Sequence, residues 1–103
     1  MTVLAMTVFR RDKPWNVDEV AASFKSTAPR YLDMPGLVWK HYYVTESGDR
    51  AGGIYLWMSR AAAEACYSDE WKAMVYAKYG VRPEIVYMHA PVTVDNVAHQ
   101  ILA

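Results

Sequence analysis

The stretch from Gly36 to Met58, GLVWKHYYVTESGDRAGGIYLWM, constrains the fold more than any other part of the chain. Leu37 to Thr45 and Ile54 to Met58 are rich in aromatic and β-branched residues, which suit a pleated, half-buried surface. Glu46 to Arg50 supplies turn residues between them, with Gly48 free to take a positive φ. The pattern predicts a β-hairpin. Side chains alternate along a strand, so Trp39, His41 and Tyr43 share one face of the first arm, and Tyr55 and Trp57 share one face of the second. If those faces coincide, the hairpin lays hydrogen-bonding aromatics over a single wall, and that wall is the candidate site.

The rest of the chain arranges itself around this hairpin. Thr2 to Phe9 carries apolar side chains at both alternations and reads as a central strand. Asn16 caps a helix, with Glu19 three residues on completing a pair of the capping-box kind. Val17, Val20, Ala21, Phe24, Ala28 and Tyr31 form one buried helical stripe, and Pro29 ends or kinks that helix near Ala28. Ser59 caps an alanine-rich helix over Arg60 to Tyr67. Ser68 caps the next, where Trp71, Met74, Val75 and Tyr79 repeat at helical spacing before Gly80 closes it. Glu84 to Thr93 reads as the last strand, with Pro91 at an edge or bulge. Residues 94–103 form a short tail that the sequence leaves open to a helix.

Strand, helix, strand, strand, helices, strand is the order of an α+β, ferredoxin-like βαββαβ antiparallel sheet with its helices on one face. The 103 residues are expected to form this single domain, 1–103. All four strands carry apolar residues on both faces, yet the helices cover only one and ten tail residues cannot hide the other. The expected remedy is a homodimer packed sheet to sheet. Composition narrows the function classes. Eleven basic residues balance eleven acidic ones with no basic stripe, which argues against nucleic acid as a partner. No apolar run reaches bilayer length and the N-terminus lacks a signal-peptide pattern, so no membrane partner and a cytoplasmic location are expected. Cys66 stands alone, and no Walker or GxGxxG fingerprint occurs.

The segment Gly36 to Lys40, GLVWK, with Ala51 to Trp57, AGGIYLW, resembles the hairpin of the YdhR-type family of monooxygenases. The helical stretch ending in Tyr79-Gly80-Val81 and the strand after it are similar too. That family sits in the group of antibiotic-biosynthesis-type monooxygenases, so the resemblance implies two subunits forming a dimeric α/β barrel. Relatives in the group include cofactor-independent oxygenases of anthrones and quinols, haem-degrading enzymes, and cyclases or isomerases. No complete Asn-His-Trp set stands at the positions expected for haem degradation. The activity implied is a cofactor-independent monooxygenase that brings dioxygen to a small aromatic phenol, quinol or anthrone-like substrate. A cofactor-free cyclase or isomerase, and a non-catalytic binding protein for a hydrophobic metabolite, are the alternatives.

For that chemistry His41 is the candidate base, because histidine titrates near neutral pH. Its plain alternative is a core or interface histidine. Tyr43 is the partner candidate, donating to a developing oxyanion, with Tyr55 as a substitute. Trp39, Tyr55, Trp57 and Tyr87 are candidates to stack on a flat substrate, or are ordinary packing. His89 shares a face with Tyr87 and joins the candidate binding residues, whereas His99 is expected in solvent. Lys40 falls on the face opposite His41 and is expected to pair or snorkel at an edge. The histidines show no metal-ligand spacing, so neither metal nor cofactor is expected.

Overall fold

The computed structural model describes residues 2–103. In chain order it contains β1 (Thr2–Arg10), α1 (Val17–Thr27), a 3-10 turn (Ala28–Tyr31), β2 (Leu37–Val44), β3 (Arg50–Trp57), α2 (Arg60–Cys66), α3 (Asp69–Tyr79) and β4 (Glu84–Ala90). Two short strands follow, β5 (Thr93–Asp95) and β6 (Gln100–Leu102). The main sheet has the order β2-β3-β1-β4, and all its pairings are antiparallel. This is the ferredoxin-like arrangement.

The helix ends follow from local chemistry. Asn16 Oδ1 accepts the Glu19 N–H at 3.1 Å, Ser59 Oγ accepts that of Ala62 at 3.1 Å, and Ser68 Oγ accepts that of Trp71 at 3.2 Å. Gly80 closes α3 at φ 73°, in the left-handed region where a Cβ would be strained. Pro29 sits in the first turn of the 3-10 segment, where its missing N–H does no harm.

Tertiary packing gathers one core on the helix side of the sheet. Phe24 from α1, Ala63 from α2 and Trp71 and Val75 from α3 join Ala5, Phe9, Ala51, Tyr55 and Trp57 from the strands. Trp15, in the loop before α1, is buried there as well. Its Nε1–H donates to the Phe9 carbonyl at 3.0 Å, and its backbone N–H donates to the Gly48 carbonyl at 2.7 Å, tying that loop to the hairpin turn. The opposite sheet face has no helix in the core cluster, and Val86 and Met88 stand 45% and 37% exposed on it.

Two expectations about the C-terminal region are corrected. The last strand ends at Ala90 instead of Thr93, because Pro91 offers no N–H to continue the ladder. The tail is a β-hairpin, with Val94 paired to Ile101, and not a helix. Strand β3 also starts earlier than Ile54, at Arg50, taking Gly52 and Gly53 into the sheet. Among the described residues no helix is long and apolar enough to cross a membrane.

Candidate functional site

The hairpin register decides which aromatics meet. Lys40 pairs with Tyr55, His41 with Ile54, Tyr42 with Gly53 and Tyr43 with Gly52. Directly paired residues of an antiparallel ladder point to the same face. Tyr55 therefore shares its face with Lys40 and Tyr42, and Trp39, His41 and Tyr43 lie on the other. The two aromatic rows do not coincide, and the expected wall is split between the faces. Alternation fixes which residues of one strand share a face, whereas the turn fixes how two strands register. Here that turn is held by the Thr45 N–H donating to the Arg50 carbonyl at 2.9 Å and Thr45 Oγ1 donating to Asp49 at 2.7 Å. A register shift between Leu37 and Trp39 adds to it.

On the helix-free face, the Trp39 and His41 rings lie 5.1 Å apart and both side chains are exposed. Tyr43 reaches across Gly52, and its hydroxyl donates to the Thr7 carbonyl at 2.9 Å. That proton is committed to the backbone. On the helix side, Tyr55 and Trp57 are buried and stacked, with ring centroids 5.8 Å apart. Tyr87 and His89 also point to the helix side, at its far end, where Arg60 lies 3.6 Å over the Tyr87 ring and His89 is exposed. His99 occupies the turn of the tail hairpin with φ 55°. The structure thus brings Tyr55 to Trp57, Trp39 to His41 and Tyr87 to His89, but it does not join the three pairs.

Lys40 is the residue that sequence reasoning undervalued. It lies on the face opposite His41 as expected, yet it does not pair at an edge. Its Nζ sits 3.3 Å from the ring centroid of Tyr31, 3.8 Å from that of Tyr42 and 4.6 Å from that of Tyr55. No carboxylate lies within ion-pair distance of it among the described residues. The space exists because residue 53 is glycine: a Cβ there would stand 2.7 Å from the Tyr55 ring and 3.0 Å from Lys40 Cε. A signal was present in the sequence, namely a lysine at the helix-facing alternation of a strand flanked by tyrosines.

Hydrogen bonds hold the rings around it. Trp71 Nε1–H donates to Tyr31 Oη at 2.9 Å, and Trp57 Nε1–H donates to Tyr67 Oη at 3.1 Å. Thr27 Oγ1 and Tyr42 Oη lie 2.7 Å apart, and the Tyr42 ring stacks on Phe24 at 4.6 Å. Burial pushes the phenols of Tyr31, Tyr55 and Tyr67 up, and that of Tyr42 to about 12, so all four stay protonated at neutral pH. Burial acts in the opposite sense on a cation and draws the Lys40 ammonium down from 10.5 to about 7. The Cys66 thiol, partly buried on α2, is pushed up to about 11 by burial and is not a ready nucleophile.

Three cavities meet around Tyr42. An inner one of about 20 Å³, room for one water, is bounded by Tyr31, Lys40, Tyr42, Tyr55 and Trp71. A groove of about 370 Å³ opens between the 3-10 turn and β2, lined by Tyr31, Leu37, Trp39, Lys40 and Tyr42. A third, apolar groove of about 360 Å³ runs between α1 and β2 along Val20, Phe24, Tyr42 and Val44. Among the described residues, Lys40 is the one lysine that touches both the inner cavity and the outer groove.

Comparison with known proteins supplies independent context. The family model described as "Putative mono-oxygenase ydhR" matches residues 4–88. No curated protein matches the chain significantly. Among solved structures, the monooxygenase ActVA-Orf6 of Streptomyces coelicolor, in complex with nanaomycin D, is similar at a TM-score of 0.65. It is 17% identical, over 85% of this chain and 86% of that one. A conserved protein from Methanosarcina mazei Go1 has a TM-score of 0.65 and 17% identity over 86% and 92% of the two chains. SnoaB, a cofactor-independent oxygenase from Streptomyces nogalater, has a TM-score of 0.63 and 18% identity over 90% and 96%. At these identities the likeness is one of fold.

Proposed function

The chain belongs to the ydhR mono-oxygenase family, and from that premise we propose that it is a cofactor-independent monooxygenase of a small acidic aromatic molecule, of phenol, quinol or anthrone type. The observation that carries the substrate class is the aromatic lining of the helix-side groove. Tyr31 and Tyr42 border about 370 Å³ of space, with Trp39 at its rim on the strand edge, a volume at the small end for ligand sites and suited to a compact flat molecule. The likeness to a cofactor-independent oxygenase of the same fold supports the reaction type.

For an anthrone-like substrate the steps balance without a further reductant. Loss of a proton leaves an electron-rich anion, which gives one electron to dioxygen. The radical pair combines at the ring carbon as a peroxide. Cleavage of its O–O bond, with loss of the remaining C–H proton, leaves a carbonyl on the substrate and one molecule of water. The protein's share is to bind the anion, stack on its rings and keep water away. Phenols held protonated by burial, such as Tyr42 beside the groove, are suited to donate to the anion's oxygen and unsuited to take its proton.

The working unit in this reading is a homodimer. A second copy packed on the helix-free face would cover Trp39, Val86 and Met88, which are 36%, 45% and 37% exposed. A second reading keeps His41 as the base, within a chamber between the two copies, and the contact of its ring with Trp39 favours it.

Oxygen uptake by chelator-treated protein, measured against a panel of anthrones, quinols and phenols with product mass alongside, tests the proposal. The expected product has gained one oxygen atom and lost two hydrogen atoms. An isomerised product formed without oxygen would replace this reading with the cyclase or isomerase one. Tight binding of the panel with no turnover would leave a binding protein.

A further inference from the structure

We propose that Lys40 Nζ takes the proton of an acidic phenol or enol seated in the groove between the 3-10 turn and β2, and then holds the resulting anion. This rests on the helix-side seat described above and names the group that works there. The first support is position. Lys40 forms part of both the inner cavity and the outer groove, so a ligand oxygen entering past Tyr31 and Tyr42 meets it.

The second support is its surroundings. Three ring faces hold the ammonium, and no carboxylate among the described residues lies within ion-pair distance of it. The rings of Tyr31 from the 3-10 turn, Tyr55 from β3 and Tyr42 on its own strand face it, and Cys66 from α2 and Arg30 from the 3-10 turn act on it through their charge. Asp33 borders the groove but forms no ion pair with it. A cation stripped of water and left without an anion is ready for an anionic ligand, which supplies the charge the fold withholds.

The third support is the state of the amine. A group drawn down to about 7 carries a sizeable neutral fraction near neutral pH, with a lone pair free to accept a proton. The step is a plain transfer: the substrate O–H bond breaks, an N–H bond forms, and phenol plus amine become phenolate plus ammonium. The new ion pair lies in a low-dielectric setting where its attraction is strong. The tyrosines cannot play this part, since burial pushes their phenols up.

The probe for the test is 4-nitrophenol, whose anion is coloured, titrated with protein near pH 7, where Lys40 keeps a neutral fraction, against the same buffer without protein so that growth of the anion band on binding is read. The wild-type protein is expected to bind it with growth of the anion band. Lys40→Met should bind it about tenfold or more weakly and without that growth, the loss expected when a charged hydrogen bond is removed. Growth of the band with Lys40→Met, or binding by the wild type without it, overturns the proposal. A second measurement needs no variant. Acetic anhydride at neutral pH should modify Lys40 ahead of Lys13, Lys25, Lys72 and Lys78, and 4-nitrophenol should slow Lys40 alone. Equal labelling of all five without protection also overturns it. Neither measurement depends on oxygen. Phenolate binding by Lys40 without oxygen uptake would defeat the oxygenase reading only, whereas full oxygen uptake by Lys40→Met would defeat the proton transfer only.

Discussion

Replacing Lys40 by methionine should make the protein more stable, and by an amount that depends on pH. The variant keeps an unbranched stem under Tyr31, Tyr42 and Tyr55 and removes the buried charge. A drop from 10.5 to about 7 corresponds to a burial cost of about 5 kcal/mol for the ammonium, at 1.36 kcal/mol for each pH unit. The sign follows from linkage. Between pH 7 and 10.5 the unfolded chain holds this proton and the folded one does not, so wild-type stability rises with pH across that window. Below it, both states are charged and the full cost stands. Urea unfolding should therefore place Lys40→Met about 5 kcal/mol above wild type at pH 6, with the gap shrinking to about 1 kcal/mol by pH 10. In a domain of this size about 1 kcal/mol moves Tm by about 4–8 °C, so the effect is readily measured. A variant less stable than wild type at pH 6, or a gap constant from pH 6 to 10, would refute the reading of Lys40 as an uncompensated buried cation.

Other consequences can be checked alongside. Gly53→Ala places a Cβ against the Tyr55 ring and Lys40 Cε, and should cost about 1–3 kcal/mol of overpacking in urea unfolding while abolishing the preferential acetylation of Lys40. Tyr43→Phe should lose about 1 kcal/mol by leaving the Thr7 carbonyl without that donor, and should keep oxygen uptake; a collapse of uptake at unchanged stability would return Tyr43 to the reaction. The Cys66 thiol, drawn up to about 11 by burial, should react with iodoacetamide at pH 8 far more slowly than free cysteine, with mass spectrometry as the readout. Val86→Lys together with Met88→Lys should give a monomer by sedimentation if the helix-free face is where two copies meet.

Much of the fold was legible because local chemistry and tertiary packing agree. Asn16, Ser59 and Ser68 cap helices where their side chains predict it, and Gly80 ends α3. The apolar residues on both strand faces announced a sheet covered on one side only. The site was less legible, since it depends on register. The sequence shows that Trp39, His41 and Tyr43 share a face, but nothing short of the turn's hydrogen bonds and the shift after Leu37 tells which face Tyr55 joins. Alternation places Lys40 on the correct face but says nothing of its surroundings, because its neighbours Tyr31 and Tyr55 come from other elements. The tail was misread for a different reason. Residues 94–103 carry no periodicity to separate helix from strand, and the hairpin is marked mainly by the Asp95 side chain, which accepts from the N–H groups of Val97 and Ala98.

Strand β2 is an outer strand of the sheet, and its sequence, LVWKHYYV, carries one lysine, Lys40, which points inward. An inward charge on an outer strand discourages other chains from adding to its unpaired backbone, since any newcomer in that register must bury an ammonium. Without it, the segment becomes an uncharged, aromatic and β-branched run of the kind that seeds fibrils. The native state and the partly folded states are thus under opposite pressures at one position. Lys40→Met should melt higher in dilute solution and yet yield more insoluble material when refolded at high concentration. The lysine that weakens the folded molecule keeps its unfinished forms in solution.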